Sequence, residues 1–172
     1  MVLARSALQD LRDVVSRSAQ PTTKLCDLVA DWRAETEQRL HPLGITLDWR
    51  ISMEDMPMPV SAEVSLNLSR ILREAITNML RHAQQANRVT IRTALEQDYL
   101  FLSVEDNGLG LPLGGAKPHR GMSSMNARAV ALGASLAWQP VEPHGCRVGL
   151  KMPLANLSPE NAGETAAAEP LS

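Results

Sequence analysis

The stretch REAITNMLRHA (73–83) places Glu74, Asn78 and His82 four residues apart, and Gln85 continues the series. At about 100° per residue, such steps form one slanting stripe on a helix. The stripe runs along the border of an apolar face, where side chains are half desolvated and can reach into a pocket. Two further stretches hold residues that could do chemistry. EDNGLG (105–110) delivers an acid into a glycine-rich turn. Asp-Asn-Gly is ordinary turn chemistry, but Asp106 could also accept the amino group of an adenine while Gly108 and Gly110 let a ring lie against bare backbone. HRGMSSMNARAVALGA (119–134) leads a glycine and two serines into a helix. That is either a plain capped helix or a phosphate site, with free amides at a positive dipole end and Gly121 permitting close approach.

The elements that position these residues follow from periodicity. Val64, Leu68, Ile71, Leu72, Ala75, Ile76, Met79 and Leu80 form an apolar stripe about 100° round from the polar one, which predicts a long helix capped by Ser61. Upstream, Leu3, Ala7, Leu8, Leu11, Val14 and Val15 predict an amphipathic helix. A second helix carries Leu25, Leu28, Val29, Trp32, Thr36 and Leu40, capped by Thr22 or Thr23 and ended by Pro42 and Gly44. GITLDWRIS (44–52) alternates as a strand with Ile45, Leu47, Trp49 and Ile51 on its buried face, and EDMPMP (54–59) reads as a loop because Pro57 and Pro59 lack donors.

RVTIRTAL (88–95) and DYLFLSVED (98–106) predict a hairpin, and NGLGLPLGGAKPHR (107–120) a mobile loop. A helix over 122–132 stopped by Gly133 and two strands, ASLAWQP (134–140) and GCRVGLKMP (145–153), complete the fold. Residues 154–172, rich in Ala, Glu, Pro and Ser, are expected to be a disordered tail. The order of elements predicts an α+β two-layer sandwich, a mixed sheet of about five strands with helices on one face, preceded by N-terminal helices over 1–42.

Composition narrows the class. A net charge of −2 and a pI near 6.1 supply no basic field for nucleic acid. Cys26 and Cys146 lie far apart without CxxC spacing, which suggests neither a disulfide framework nor a zinc site but reduced thiols in a cytoplasmic setting. No apolar run approaches the roughly 20 residues a membrane helix needs, so no membrane contact is expected of this segment. At 3% aromatic content the core must be aliphatic, with eight Met as gap fillers.

Taken in order, the Glu-xxx-Asn helix, DNGLGLP, RGMSSMNARAVALGA and GCRVGLKMP resemble the histidine kinase-type ATPase superfamily, which includes gyrase, heat-shock-90-type chaperones and mismatch-repair ATPases. Within it they most resemble two-component sensor kinases of the nitrate-sensor-like subfamily, over about residues 43–153. The resemblance implies a Bergerat ATP-binding fold, ATP and Mg2+ as cofactors, and roles for matching positions. Asn78 would hold the magnesium, and Glu74 would orient a metal-bound water or help activate the acceptor. Asp106 would bind the adenine amine, Gly108 and Gly110 would shape the base pocket, and Gly121 and Met122 would close on the phosphates. Arg81 or His82 would reach the phosphate side, and residues 111–120 would be the ATP lid.

Two departures stand out. Gly145-Cys146 replaces the usual Gly-Thr, so a thiol stands where a hydroxyl commonly supports the adenine-site water. His119-Arg120 replaces a Gly-Leu pair at the end of the lid. None of the four histidines sits on a dimerising helix beside acids, which places the phosphoacceptor upstream, on a dimerisation domain of a longer kinase. The expected partners are ATP or ADP, that dimerisation domain and a response regulator, with a homodimer only in the intact kinase. A stand-alone serine kinase of the anti-sigma-factor type and a non-catalytic nucleotide-binding module are the alternatives.

Overall fold

A computed structural model of the chain describes residues 22–53, 58–110 and 120–158. The helix expected from Leu3 to Val15, residues 111–119 of the expected lid and the tail beyond 158 lie outside the described residues. In chain order the elements are β1 (Thr22–Lys24), α1 (Leu25–Leu40), a 3-10 turn (His41–Leu43), β2 (Thr46–Ser52), β3 (Pro59–Ser61), α2 (Ala62–His82), β4 (Arg88–Glu96), β5 (Tyr99–Asp106), α3 (Arg120–Ala131), β6 (Ser135–Pro140), β7 (Cys146–Pro153) and a second 3-10 turn (Leu154–Asn156).

Five strands form one mixed sheet in the order β2-β4-β5-β7-β6, in which only the β2–β4 pair is parallel. The helices cover one face of it. Strand alternation explains how the sheet presents an acid to that face: in β5 Leu100, Leu102, Val104 and Asp106 are buried in turn, so Asp106 stands where the next apolar residue would. The register lines Ile91, Val104, Val148 and Trp138 in one row across the sheet, and the next row holds Val89, Asp106 and Cys146.

α2 buries the predicted stripe from Val64 to Met79, and the Ser61 hydroxyl accepts from the Val64 amide at 3.3 Å as the expected cap. α1 buries the six residues its periodicity predicts. It shares one core with α2 and the sheet. A buried polar thread joins the helices: Trp32 Nε1 donates to Ser69 Oγ at 2.8 Å, and that hydroxyl donates to the Ser65 carbonyl at 2.8 Å. Beside it Arg73 grips the Glu35 carboxylate through Nε and Nη2 at 2.7 and 2.8 Å.

Four local expectations are corrected. Thr22 and Thr23 do not cap α1; they pair as β1 with β3, and the cap position falls to Lys24, which makes no side-chain cap bond. Pro59 is not in a loop but opens β3, a place where its missing donor costs the ladder nothing. Ile51 is 48% exposed, near the end of β2, which is an edge strand of the sheet. Finally, the chain stays ordered past Pro153: Leu157 is buried to 2% exposure and its carbonyl accepts from the Ser61 amide at 2.9 Å. Composition hid this because one well-placed leucine suffices to anchor a short segment.

Candidate functional site

The polar stripe of α2 opens onto a cavity of about 550 Å³ between α2, α3 and the ends of β5, β6 and β7. Asn78, Arg81, His82, Asp106, Gly110, Met122 and Cys146 all line it. Gly108, Gly121 and Glu74 sit immediately beside it. Gly121 is packed so closely against the acid and the amide that an added Cβ would meet Glu74 Oε1 at 2.0 Å and Asn78 Nδ2 at 3.1 Å. Arg81 and His82 are exposed at the rim. Gln85 departs from the stripe: α2 ends at His82, and Gln85 sits in the following turn with φ 63°.

The end of the cavity at Asp106 is built from backbone as much as from side chains. Asp106 Oδ1 accepts from the Gly108 amide at 2.9 Å, and the Cys146 amide also donates to this carboxylate. Burial nevertheless pushes the Asp106 carboxyl above its ordinary value, the two amides opposing the shift. Gly145, with φ 130°, brings the β6–β7 turn so close that a Cβ would lie 2.1 Å from the Asp106 carbonyl oxygen. Only a glycine fits there. Gly145→Ala is therefore expected to cost at least about 2 kcal/mol, read as a lowered denaturant midpoint at unchanged m-value.

Cys146 faces the same space as Asp106. Burial, with the Asp106 charge adding, pushes its thiol up to about 11. The nucleophile is the thiolate, so alkylation of Cys146 should be slow at pH 8 and rise about tenfold per pH unit until near that value. Peptide mapping after iodoacetamide treatment checks this, and a ligand in the cavity should slow the reaction further.

Several wall residues escaped the motif reading: Met79, Val104, Met125, Trp138 and Val148. Met79 reads as part of the apolar stripe of α2, and the others stand inside predicted elements without a site role. The signal that could have found them is register, since Trp138 pairs with Val148 and Val148 with Val104, one row inside the Asp106 row.

A cation and a phosphate chain fit the polar end. Asn78 Nδ2 is buried with no hydrogen-bond partner among the described residues, an orphan that a bound group would satisfy. Asn78 and Glu74 supply hard oxygen donors of the kind magnesium takes. Among the described residues no group of three His, Cys, Asp or Glu gathers that could hold a metal ion. A bound divalent ion would accordingly complete its shell with phosphate oxygens and water.

The model of the histidine kinase-, DNA gyrase B- and HSP90-like ATPase family matches residues 63–156, more than half of the chain and every wall of this cavity. The chain belongs to that ATPase family. Sensor histidine kinases are among its relatives: YxjM of Bacillus subtilis is 30% identical over 168 residues, which are 94% of this chain and 38% of YxjM. The kinase/phosphatase UhpB of Salmonella typhimurium is 34% identical over 119 residues, 68% of this chain and 22% of its own length. VraS of Staphylococcus haemolyticus is 30% identical, with 87% of this chain and 40% of VraS covered. The chain thus spans well under half the length of these relatives.

Solved structures agree on the fold of this ATPase module. The histidine kinase domain of a blue-light-activated kinase from Erythrobacter litoralis EL346 superposes with a TM-score of 0.69 at 20% identity, covering 90% of this chain and 76% of that one. The catalytic domain of the histidine kinase ThkA gives 0.63 at 14% identity, covering 77% of this chain and 94% of that one. No helix among the described residues is long and apolar enough to cross a membrane.

Proposed function

We propose that this chain is the ATP-binding catalytic domain of a two-component sensor histidine kinase, donating the γ-phosphoryl group of ATP to a histidine on a dimerisation domain. The observation that carries the reading is that Asn78 and Asp106, from a helix and a strand, open onto one cavity with the orphaned Asn78 amide at one end and the buried acid at the other.

In this reading Asp106 accepts the adenine amine while Met79, Met125 and Trp138 exclude water from the base. Asn78 and Glu74 would hold a magnesium ion, which when bound would neutralise phosphate charge. Arg81 and His82 meet the phosphates at the rim, and the first amides of α3 at Gly121 and Met122 cap them. The acceptor imidazole nitrogen attacks the γ-phosphorus, the bond to the β-phosphate oxygen breaks, ADP leaves, and the imidazole proton passes toward Glu74 or solvent. The protein contributes position and charge compensation rather than covalent chemistry. A response regulator would then receive the phosphoryl group.

The test has two arms. Titration with Mg-ADP should release heat and raise the melting temperature by mass action. With Mg-ATP and a separately supplied dimerisation domain from a related sensor kinase, acid-labile phosphate should appear on that domain. Acid-stable phosphate on a serine would redirect the reading to an anti-sigma-type kinase, and absence of heat and thermal shift would sink it.

A further inference from the structure

The geometry points to His144 as a positioning residue for base recognition, an inference that rests on the adenine-site reading above. His144 lies in the β6–β7 turn, and its Nδ1 is 3.1 Å from the carbonyl oxygen of Asn107 and 3.1 Å from that of Gly108. Neither carbonyl can donate, so Nδ1 carries the proton and donates to both.

The placement matters because of what lies on the other side of the same two peptide planes. In a planar trans peptide the C=O and the next N–H point in opposite directions. The plane whose carbonyl belongs to Asn107 carries the Gly108 N–H, which donates to Asp106 Oδ1 at 2.9 Å. The plane whose carbonyl belongs to Gly108 carries the Leu109 N–H, which donates to the Gln84 carbonyl at 3.1 Å. His144 therefore holds from behind the two planes that face the recognition acid and the turn after α2. The opposite flank is clasped independently: Asn107 Oδ1 accepts from the Asn87 and Arg88 amides at 3.1 and 3.0 Å, and Asn107 Nδ2 donates to Asn87 Oδ1 at 2.8 Å. Without His144 the segment keeps one clasp and loses the other, and the Gly108 plane is free to tilt away from Asp106.

The consequence is for selectivity rather than for general affinity. Asp106 reads the exocyclic amine, so a loosened plane should affect an adenine nucleotide more than one whose base lacks that amine. The experiment titrates the full chain with Mg-ADP and Mg-inosine diphosphate by calorimetry, in the wild type, His144→Ala and His144→Asn, with melting curves for each. Asparagine carries a donor at the same δ position. His144→Ala should bind ADP about tenfold more weakly, the worth of about one net hydrogen bond. Its ADP-over-inosine preference should shrink by a similar factor, and His144→Asn should restore both. Equal loss for the two nucleotides alongside a lowered melting temperature would mark a purely structural turn residue and overturn the assignment, as would an unchanged preference in His144→Ala. A wild type that does not distinguish the two nucleotides would instead remove the adenine-site reading, and the role of His144 with it.

Discussion

Asp106→Asn should bind Mg-ADP about 100-fold more weakly than the wild type and melt no lower. The Gly108 and Cys146 amides converge on this carboxylate, and in the proposed liganded site the adenine amine would be a third donor. A carboxylate has two oxygens and accepts them all; a carboxamide has one. If its oxygen serves the backbone, its NH2 meets the adenine amine donor to donor. If it serves the base, the NH2 faces the backbone amides. Losing one hydrogen bond to a charged group and leaving a buried donor opposed accounts for about 3 kcal/mol.

Stability moves the other way. The folded pKa of Asp106 is raised above its unfolded value by burial, so its favourable contribution is complete only below the unfolded pKa and is lost as pH rises through the folded one. At pH 7 the wild type holds a desolvated charge that Asn lacks. The advantage of the variant should fade on acidification through that raised pKa, and melting curves across acid pH, run beside calorimetry at pH 7, measure both halves. Weak binding with a collapsed melting temperature would mean that Asp106 serves the fold instead.

Asn78→Ala separates the two ends of the cavity. Asn78 Nδ2 is buried and makes no hydrogen bond among the described residues, so truncation removes a penalty, and alanine also favours the helix interior. The variant should be as stable as the wild type or about 1 kcal/mol more so. Its nucleotide binding should lose most of its enhancement by Mg2+, and phosphoryl transfer should fall at least about 100-fold, because in the proposed site Asn78 would help hold the charge compensation on which the reaction depends. The readouts are ADP affinity with and without Mg2+, and transfer to a supplied dimerisation domain. Retained magnesium dependence would move the cation elsewhere.

How much of this was legible from residues alone depends on the range of the interaction that decides each feature. α2 was, because its two stripes and the Ser61 cap lie within one segment, and so was Asp106, because alternation along β5 buries it whatever the neighbours are. The six core positions of α1 were legible for the same reason. β1 and β3 were not: each is three residues long, one opens on proline, and their only recommendation is each other, 35 or more positions away. Leu157 and the Trp138 wall share that character, since a burial decided by distant partners leaves no local period. Of the site, the polar contributors were readable as motifs, while the apolar enclosure and the His144 grip required the register of β5, β6 and β7.

The meeting of β1, β3 and the Leu157 carbonyl at Ser61 has one more consequence. Thr22 and Leu157, near the first and last described residues, both meet the start of α2, while Asn78 lies on the same helix about 25 Å farther along at 1.5 Å per residue. The cavity is thus carried at the opposite end of α2 from the point where the described residues begin and end, so that substitutions at Ser61 and at Asn78 act on the two ends of a single helix.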